Sequence, residues 1–308
     1  MSLVVLVLVP GVHLLDLGGP AQVFSSAAER GHDYQLAYLA ERPEVVTAQG
    51  LPVRTAMEWP ELGPDDLILV PGWRTSTMTA ADRLREPTLA RLRAHHAAGG
   101  TVASVCAGAD ALGRAGLLDG RRCTTHHHLQ DQLARRYPKA KVVRDVLYVV
   151  DDRVVTSAGI ASGIDLALSI VAARHGPGAA GRVARDMVVY ARRNGDEPQA
   201  SALLRHRSHL NEAVHRIQDL LEARFTDRLT LSDLAAASGF SERTVTRMFG
   251  RATGLTPLRY QQVLRLERAE HLIGHGATVE TAARAVGFED PRMLRRLRSR
   301  GHATNLSA

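Results

Sequence analysis

Over roughly the first 190 residues, short apolar runs alternate with longer stretches whose apolar positions recur every three to four residues. Leu3–Val9, Tyr34–Leu39, Leu67–Val70, Thr101–Val105 and Val154–Thr156 read as strands. Helical patterns cover Pro20–Ala28, Ala80–Ala98, Ala109–Ala115, Leu129–Arg136, Gly163–Ala173 and Ala179–Val188. Val146–Val150, the pair Asp151-Asp152 and Arg153–Thr156 read as a hairpin. Runs that stay apolar, separated by helices, predict an α/β fold: a flavodoxin-like sandwich around a mainly parallel sheet. Sites in such sheets sit beyond the carboxyl ends of the strands.

The pattern then changes. Arg192-Arg193-Asn194-Gly195-Asp196-Glu197-Pro198-Gln199 breaks helical periodicity with glycine and proline, which marks a linker over 192–209 between a domain at 1–191 and one at 210–308. Beyond it the chain is all helical. Leu210, Val214, Ile217, Leu220 and Leu221 line one face of a helix running to about Phe225. A motif follows twice: an Ala-rich helix, a Gly-Phe turn and a second helix rich in arginine. The Gly-Phe pairs, Gly239-Phe240 and Gly287-Phe288, stand 48 residues apart. Each copy predicts a helix-turn-helix, whose second helix can enter the DNA major groove. Glycine suits the turn, and the aromatic after it is expected to pack under both helices. Between the copies, Thr256-Pro257 offers an N-cap followed by proline at the first helical position. Leu258, Val263, Leu266, Ala269, Leu272 and Ile273 then carry one helix to Gly274. Its length of about 25 Å could seat two recognition helices one DNA turn apart.

Charge supports a division of labour. The chain of 308 residues carries a formal charge of +7; residues 201–308 hold 17 arginines and no lysine against 11 carboxylates, and the rest is near neutral. A basic C-terminal third predicts a polyanion, double-stranded DNA, as its partner. Arg243, Arg247 and Arg251 fall at i, i+4 and i+8, forming one basic stripe on the first recognition helix. Arg292, Arg295 and Arg296 are their counterparts in the second copy. Two cysteines are too few for a disulfide framework and suit a reducing cytoplasm. The apolar opening is read as a buried strand rather than a signal peptide, because Pro10-Gly11 ends it and no basic segment precedes it; no run reaches a membrane span.

Three strand ends carry chemistry: Pro10–Asp16, Pro71-Gly72-Trp73 and Ser104-Val105-Cys106-Ala107-Gly108. Cys106 is expected on a sharp strand-to-helix turn, where helix N-terminal amides would lower its pKa and leave it more reactive than Cys123. Trp73 is placed where it could cap a ligand pocket or pack over the sheet edge. Cys123-x-x-His126-His127-His128 has no second ligand cluster elsewhere, so no metal is expected, and no cofactor. No Gly-x-x-x-x-Gly-Lys follows a strand, which excludes a phosphate loop of that type.

The N-terminal residues resemble the ThiJ/PfpI branch of the class I glutamine-amidotransferase-like fold. The resemblance rests on Leu14-Leu15-Asp16-Leu17-Gly18-Gly19-Pro20, Val70-Pro71-Gly72, Ser104–Gly108, Ala115–Gly120, Thr124-Thr125-His126 and Thr156–Ala167. It implies Cys106 as the elbow cysteine, Asp16 as the acid contacting it, and the amides of Gly72 and Ala107 as an oxyanion-hole region. His126 is the remaining candidate base. Residue 107 departs from the enzymes of that branch, which have histidine or threonine there.

The C-terminal residues resemble the AraC family of regulators. Gly239–Arg243, Arg247-Met248-Phe249, Gly254-x-Thr256-Pro257-x-x-Tyr260 and Arg265-Leu266-x-Arg268-Ala269 carry this likeness. Arg243, Thr246 and Arg247 correspond to base-contacting positions. Arg298 stands where the family has a core phenylalanine, so Leu297 is expected to substitute, residues beyond about Leu294 to fray, and the second reader to be weakened. The combination resembles GlxA-like regulators: a small-molecule sensor that dimerises through its N-terminal domain and binds DNA, without membrane association. The alternative is a cysteine-dependent, isonitrile hydratase-like enzyme with a vestigial DNA-binding tail.

Overall fold

The computed structural model describes residues 2–78, 84–189, 193–197, 199, 206–207, 209–274 and 276–305. The chain divides after Gln199 into two compact units.

The first unit is built on a six-stranded sheet. Its strands are β1 (Ser2–Val7), β2 (Tyr34–Leu39), β5 (Leu67–Val70), β6 (Thr101–Val105), β9 (Tyr148–Asp151) and β10 (Val154–Ser157), in the order β2-β1-β5-β6-β10-β9. All neighbours are parallel except β9, which pairs antiparallel with β10 through a tight turn holding Asp152 at φ 54°. Val4–Leu6 and Leu67–Val70 are wholly buried, so both faces of the sheet are covered. That is why these strands read as unbroken apolar runs. Two small ribbons, β3 (Glu44–Val46) with β4 (Pro52–Arg54) and β7 (Arg122–Cys123) with β8 (Lys141–Val142), are too short to announce themselves in the pattern.

Six helices accompany the sheet: α1 (Leu14–Glu29), α2 (Glu86–Ala97), α3 (Ala109–Arg114), α4 (Gln130–Arg136), α5 (Ser162–His175) and α6 (Pro177–Asp186). Two starts differ from expectation. Helix α1 begins six residues before Pro20, which lies inside it although proline removes the amide that would bond the Asp16 carbonyl. Helix α2 begins only at Glu86, with Pro87 in its first turn, and the preceding Arg85 is extended; residues 80–83 of the expected helix lie outside the described residues. The Glu41 carboxylate holds this start, accepting from the Arg85 amide at 2.7 Å and the Thr88 hydroxyl at 2.6 Å.

Residues from the stretch read as a linker dock on this unit. Arg193 forms an ion pair with buried Asp165 at 2.5 Å, and the Leu147 amide donates to Gly195 O at 2.8 Å.

The second unit is all helical: α7 (Glu212–Ala223), α8 (Leu231–Ser238), α9 (Glu242–Thr253), α10 (Pro257–Gly274), α11 (Val279–Ala285) and α12 (Pro291–Asn305). It has two cores. Val214, Ile217, Leu221, Leu234, Val245, Phe249, Tyr260 and Leu264 form the first; Ala269, Ala282, Ala283, Val286, Phe288, Leu294 and Leu297 form the second. Helix α10 feeds both, and its 18 residues span about 27 Å. Leu210, expected on the buried face of α7, is instead fully exposed before Asn211 caps the helix. Among the described residues, no helix is long and apolar enough to cross a membrane.

Candidate functional site

Cys106 ends β6 and opens a single 3-10 turn that runs into α3. Its φ of 55° is a strained left-handed value for a residue with a Cβ. The turn can form because its neighbours are glycines. A Cβ on Gly72 would overlap Asp16 Oδ2 and reach within 2.6 Å of Cys106 Cβ; one on Gly159 would overlap Cys106 Cβ outright. Gly108 leaves room for the Val70 carbonyl. Thr125 holds the elbow from the other side, its hydroxyl donating to Cys106 O at 2.7 Å.

Asp16 lies behind the thiol in the first turn of α1, wholly buried. Its Oδ1 accepts from the Ile160 amide at 2.5 Å, while Oδ2 is buried beside the Cys106 thiol and the Gly72 amide without a well-formed bond. Burial raises the Asp16 pKa above the ordinary carboxylate value, against the lowering effects of Ile160 and His13. The same burial, reinforced by the Asp16 charge, pushes the Cys106 thiol well above the usual thiol range. This corrects the expectation of an activated thiolate. Only the Ala107 amide favours the thiolate, and it loses to desolvation in a residue 6% exposed. Cys123, fully buried in β7, is pushed up to about 12, again mainly by burial.

In front of Cys106 opens a cavity of about 490 Å³, also lined by His13, Trp73, His126, His128 and Ile160, with Thr75 and Ser76 at its edge. Of the residues singled out from sequence, Trp73, Cys106 and His126 line this space, whereas Asp16, Gly72 and Ala107 lie beneath it. Trp73 is 5% exposed and bridges Val12, so it packs into the sheet edge as well as bounding the cavity. His126 is half-buried, and burial together with its histidine neighbours lowers its pKa to about 4. It is therefore neutral near pH 7 and a weak base. His13, Gly159 and Ile160 fall within stretches noted from sequence but are not singled out there as site residues. Ile160 takes part through a backbone at φ 50°, which no residue type advertises.

The helix-turn-helix surface has different chemistry. Gly239 and Gly287 both take left-handed φ, 74° and 81°, at the two turns. Thr230 and Asp233 form a capping box on α8, and Ser241 and Thr278 cap α9 and α11. On α9, Val245 and Phe249 face the core, leaving Arg243, Arg247 and Arg251 exposed on the opposite side. Thr246 is half-buried, its hydroxyl donating to Glu242 O at 2.9 Å. The two aromatics behave differently: Phe288 is 6% exposed, but Phe240 is 42% exposed because Phe249 already fills the first core.

The second copy keeps a complete helix and its own core. Helix α12 extends through Asn305, and Leu297 is 4% exposed in the core, as anticipated for the missing phenylalanine. Arg298 turns outward to Glu270 at 2.8 Å, so its charge never enters the core. Past Leu294 the described residues continue the helix, and Leu297 joins the second core; hydrogen exchange tests the expected fraying. On the same helix Arg292 and Arg296 are exposed, whereas Arg295 is paired with Glu280.

Comparison with known proteins agrees with both units. Residues 2–173 match the DJ-1/PfpI family and residues 234–303 match a helix-turn-helix domain. The transcriptional regulator CdhR of Pseudomonas aeruginosa is 30% identical over 194 residues, covering 63% of this chain and 57% of that protein. The regulator GlxA of Rhizobium meliloti is 25% identical over 62% of this chain and 59% of its own length. An isonitrile hydratase of Pseudomonas putida is 35% identical over 167 residues, 53% of this chain and 68% of the enzyme. The chain thus spans only about half to three fifths of the regulators' length. Among solved structures, a ThiJ/PfpI family protein from Pseudomonas syringae superposes with a TM-score of 0.54 at 25% identity, over 78% of this chain and 91% of that one. An AraC family regulator from Pseudomonas putida does so at 0.53 and 24% identity, over 61% of this chain and its own full length, a likeness of fold alone. The chain belongs to the DJ-1/PfpI family and carries an AraC-type helix-turn-helix domain.

Proposed function

We propose that this family member is a cytoplasmic, DNA-binding transcriptional regulator, dimeric through its DJ-1/PfpI unit, in which the cavity before Cys106 binds a small-molecule effector. The observation that carries the reading is the exposed stripe of Arg243, Arg247 and Arg251 on a capped recognition helix, repeated in a second helix-turn-helix. The bidentate guanidinium is the commonest reader of guanine edges in the major groove. The named regulators among the relatives support the same assignment.

The elbow site supports sensing over turnover. A nucleophilic cysteine works as its thiolate and needs a base or a depressed pKa. Here burial keeps the thiol protonated, alanine follows it, and His126 with a pKa of about 4 is poorly matched to proton abstraction at neutral pH. The similarity to an isonitrile hydratase keeps cysteine-dependent hydration as the second reading.

Genomic footprinting of the bound chain, followed by binding measurements on the recovered site, tests the proposal. Arg247→Ala is expected to cost ~1–3 kcal/mol on that site and much less on mixed-sequence DNA. Equal losses on both would reduce Arg247 to a phosphate contact. Sedimentation of the chain tests the dimer, and Cys106-dependent consumption of an isonitrile would favour the enzyme.

A further inference from the structure

A groove of about 1060 Å³ lies within the second unit, between the turn after α7 and the start of α12. Its floor is Arg265. This guanidinium donates to the carbonyls of Phe225 at 2.6 Å, Thr226 at 3.1 Å, Asp227 at 2.7 Å and Gly287 at 2.8 Å. It thereby fastens the turn between α7 and α8, which leads into the first helix-turn-helix, to the turn of the second. The two turns touch, since a Cβ on Gly287 would overlap the Thr226 carbonyl oxygen. Among the described residues Arg265 forms no ion pair; burial disfavours its charge, and the four carbonyls, the Phe288 ring at 5.7 Å and the nearby charges of Asp227 and Glu289 hold it.

Around this fixed cation stand Arg228, Arg284, Arg292 and Arg296, each from outside the first recognition helix. Arg228, Arg284 and Arg292 have no carboxylate partner among the described residues, in contrast to Arg295 and Arg298, which are paired. Glu289 and Asp290 also line the groove, and Asp290 is spent on the Arg292 amide at 2.8 Å. Five guanidiniums against two carboxylates leave a positive seat at the junction of the two helix-turn-helices.

We propose that this groove seats a phosphate of the DNA backbone, held by Arg228 and Arg284 over Arg265, and so sets the register of both recognition helices on the duplex. The inference rests on the regulator reading above and extends it to residues outside the recognition helices. A backbone phosphate contact adds affinity without reading sequence, and each one contributes about 0.9 to the slope of log K against log salt. Recognition-helix arginines contribute instead to discrimination between sequences.

The test compares the full chain with Arg228→Ala, Arg284→Ala and the double variant, on the footprinted site and on a mixed-sequence duplex, at about 50–200 mM salt. The double variant is expected to lose about tenfold or more on both duplexes and to lower the salt slope by roughly 1–2. Arg284→Lys should recover most of the slope, and Glu289→Gln should tighten both duplexes. Unchanged melting of each variant excludes misfolding, and is expected because both arginines are exposed and, among the described residues, form no ion pair. Wild-type affinity and slope in the double variant, or a loss confined to the footprinted site, overturns the seat. A wild type that binds neither duplex overturns the regulator reading, and the seat with it.

Discussion

Buried Asp16, in the first turn of α1, opposes the ionisation of Cys106: its charge raises the thiol pKa that burial already lifts, whereas the thiol lowers the Asp16 pKa against the rise that burial imposes. A turn of this shape is usually associated with nucleophiles, because a helix N-terminus favours the thiolate. Here α3 is only six residues long and its pull is outweighed.

The first prediction follows directly. Cys106 in the folded chain should alkylate more slowly near neutral pH than a free thiol, with reactivity rising only under alkaline conditions. Asp16→Asn removes the nearby negative charge and should speed the reaction, while Cys106→Ala should keep the fold and DNA binding. Mass spectrometry of iodoacetamide adducts against pH measures this, and rapid neutral-pH labelling of wild-type Cys106 contradicts it.

The second concerns the glycines that enclose the elbow. Gly72→Ala and Gly159→Ala should each destabilise the first unit by ~1–3 kcal/mol, since each added methyl meets Cys106 or Asp16 and Gly159 also sits at φ 103°. Gly18→Ala is the opposite case. Gly18 is exposed inside α1 with nothing within 4 Å of a new Cβ, so the change should stabilise by ~0.5–1 kcal/mol. Urea unfolding of the three variants should show two losses and one gain.

Much of this architecture was legible because the apolar period of β1, β5 and β6 follows directly from burial on both faces. The double helix-turn-helix was legible through Gly239 and Gly287, whose left-handed turns few other residues accept. The elbow was placed correctly but its ionisation was not. Motif logic counts the amides near Cys106, whereas the pKa is decided by how much water the fold removes and by where Asp16 points. His13 and Ile160 reach the cavity through loops brought together only by the tertiary fold. The start of α1 was hidden by Pro20, which usually opens helices and here lies within one. Arg298 misled by its type: the helix rotates it to Glu270 and lets Leu297 take the core.

A third prediction concerns pH. His126 has a folded pKa of about 4 against the ordinary 6.5, so its neutral form is favoured by folding. Its contribution is complete above pH 6.5 and is lost as pH falls through about 4, where the native imidazole must also take a proton. His126→Gln should therefore narrow the difference in melting temperature between pH 7 and the acid side of that window. An unchanged difference would mean the imidazole remains solvated enough to titrate normally.

The fourth separates the two residues at the end of the second core. Leu297 is 4% exposed against Phe288 and Leu294, so Leu297→Ala removes buried methyls and should cost ~2–5 kcal/mol. Arg298 and Glu270 are both partly exposed, so Arg298→Ala should cost only about 0–1 kcal/mol. Hydrogen exchange along α12 reads the result by segment. Amides from Arg295 to Ser299 should be protected in the wild type, retained in Arg298→Ala and lost in Leu297→Ala. If Arg298→Ala opens the helix as far as Leu297→Ala does, the outward ion pair, and not the leucine, secures the second recognition helix.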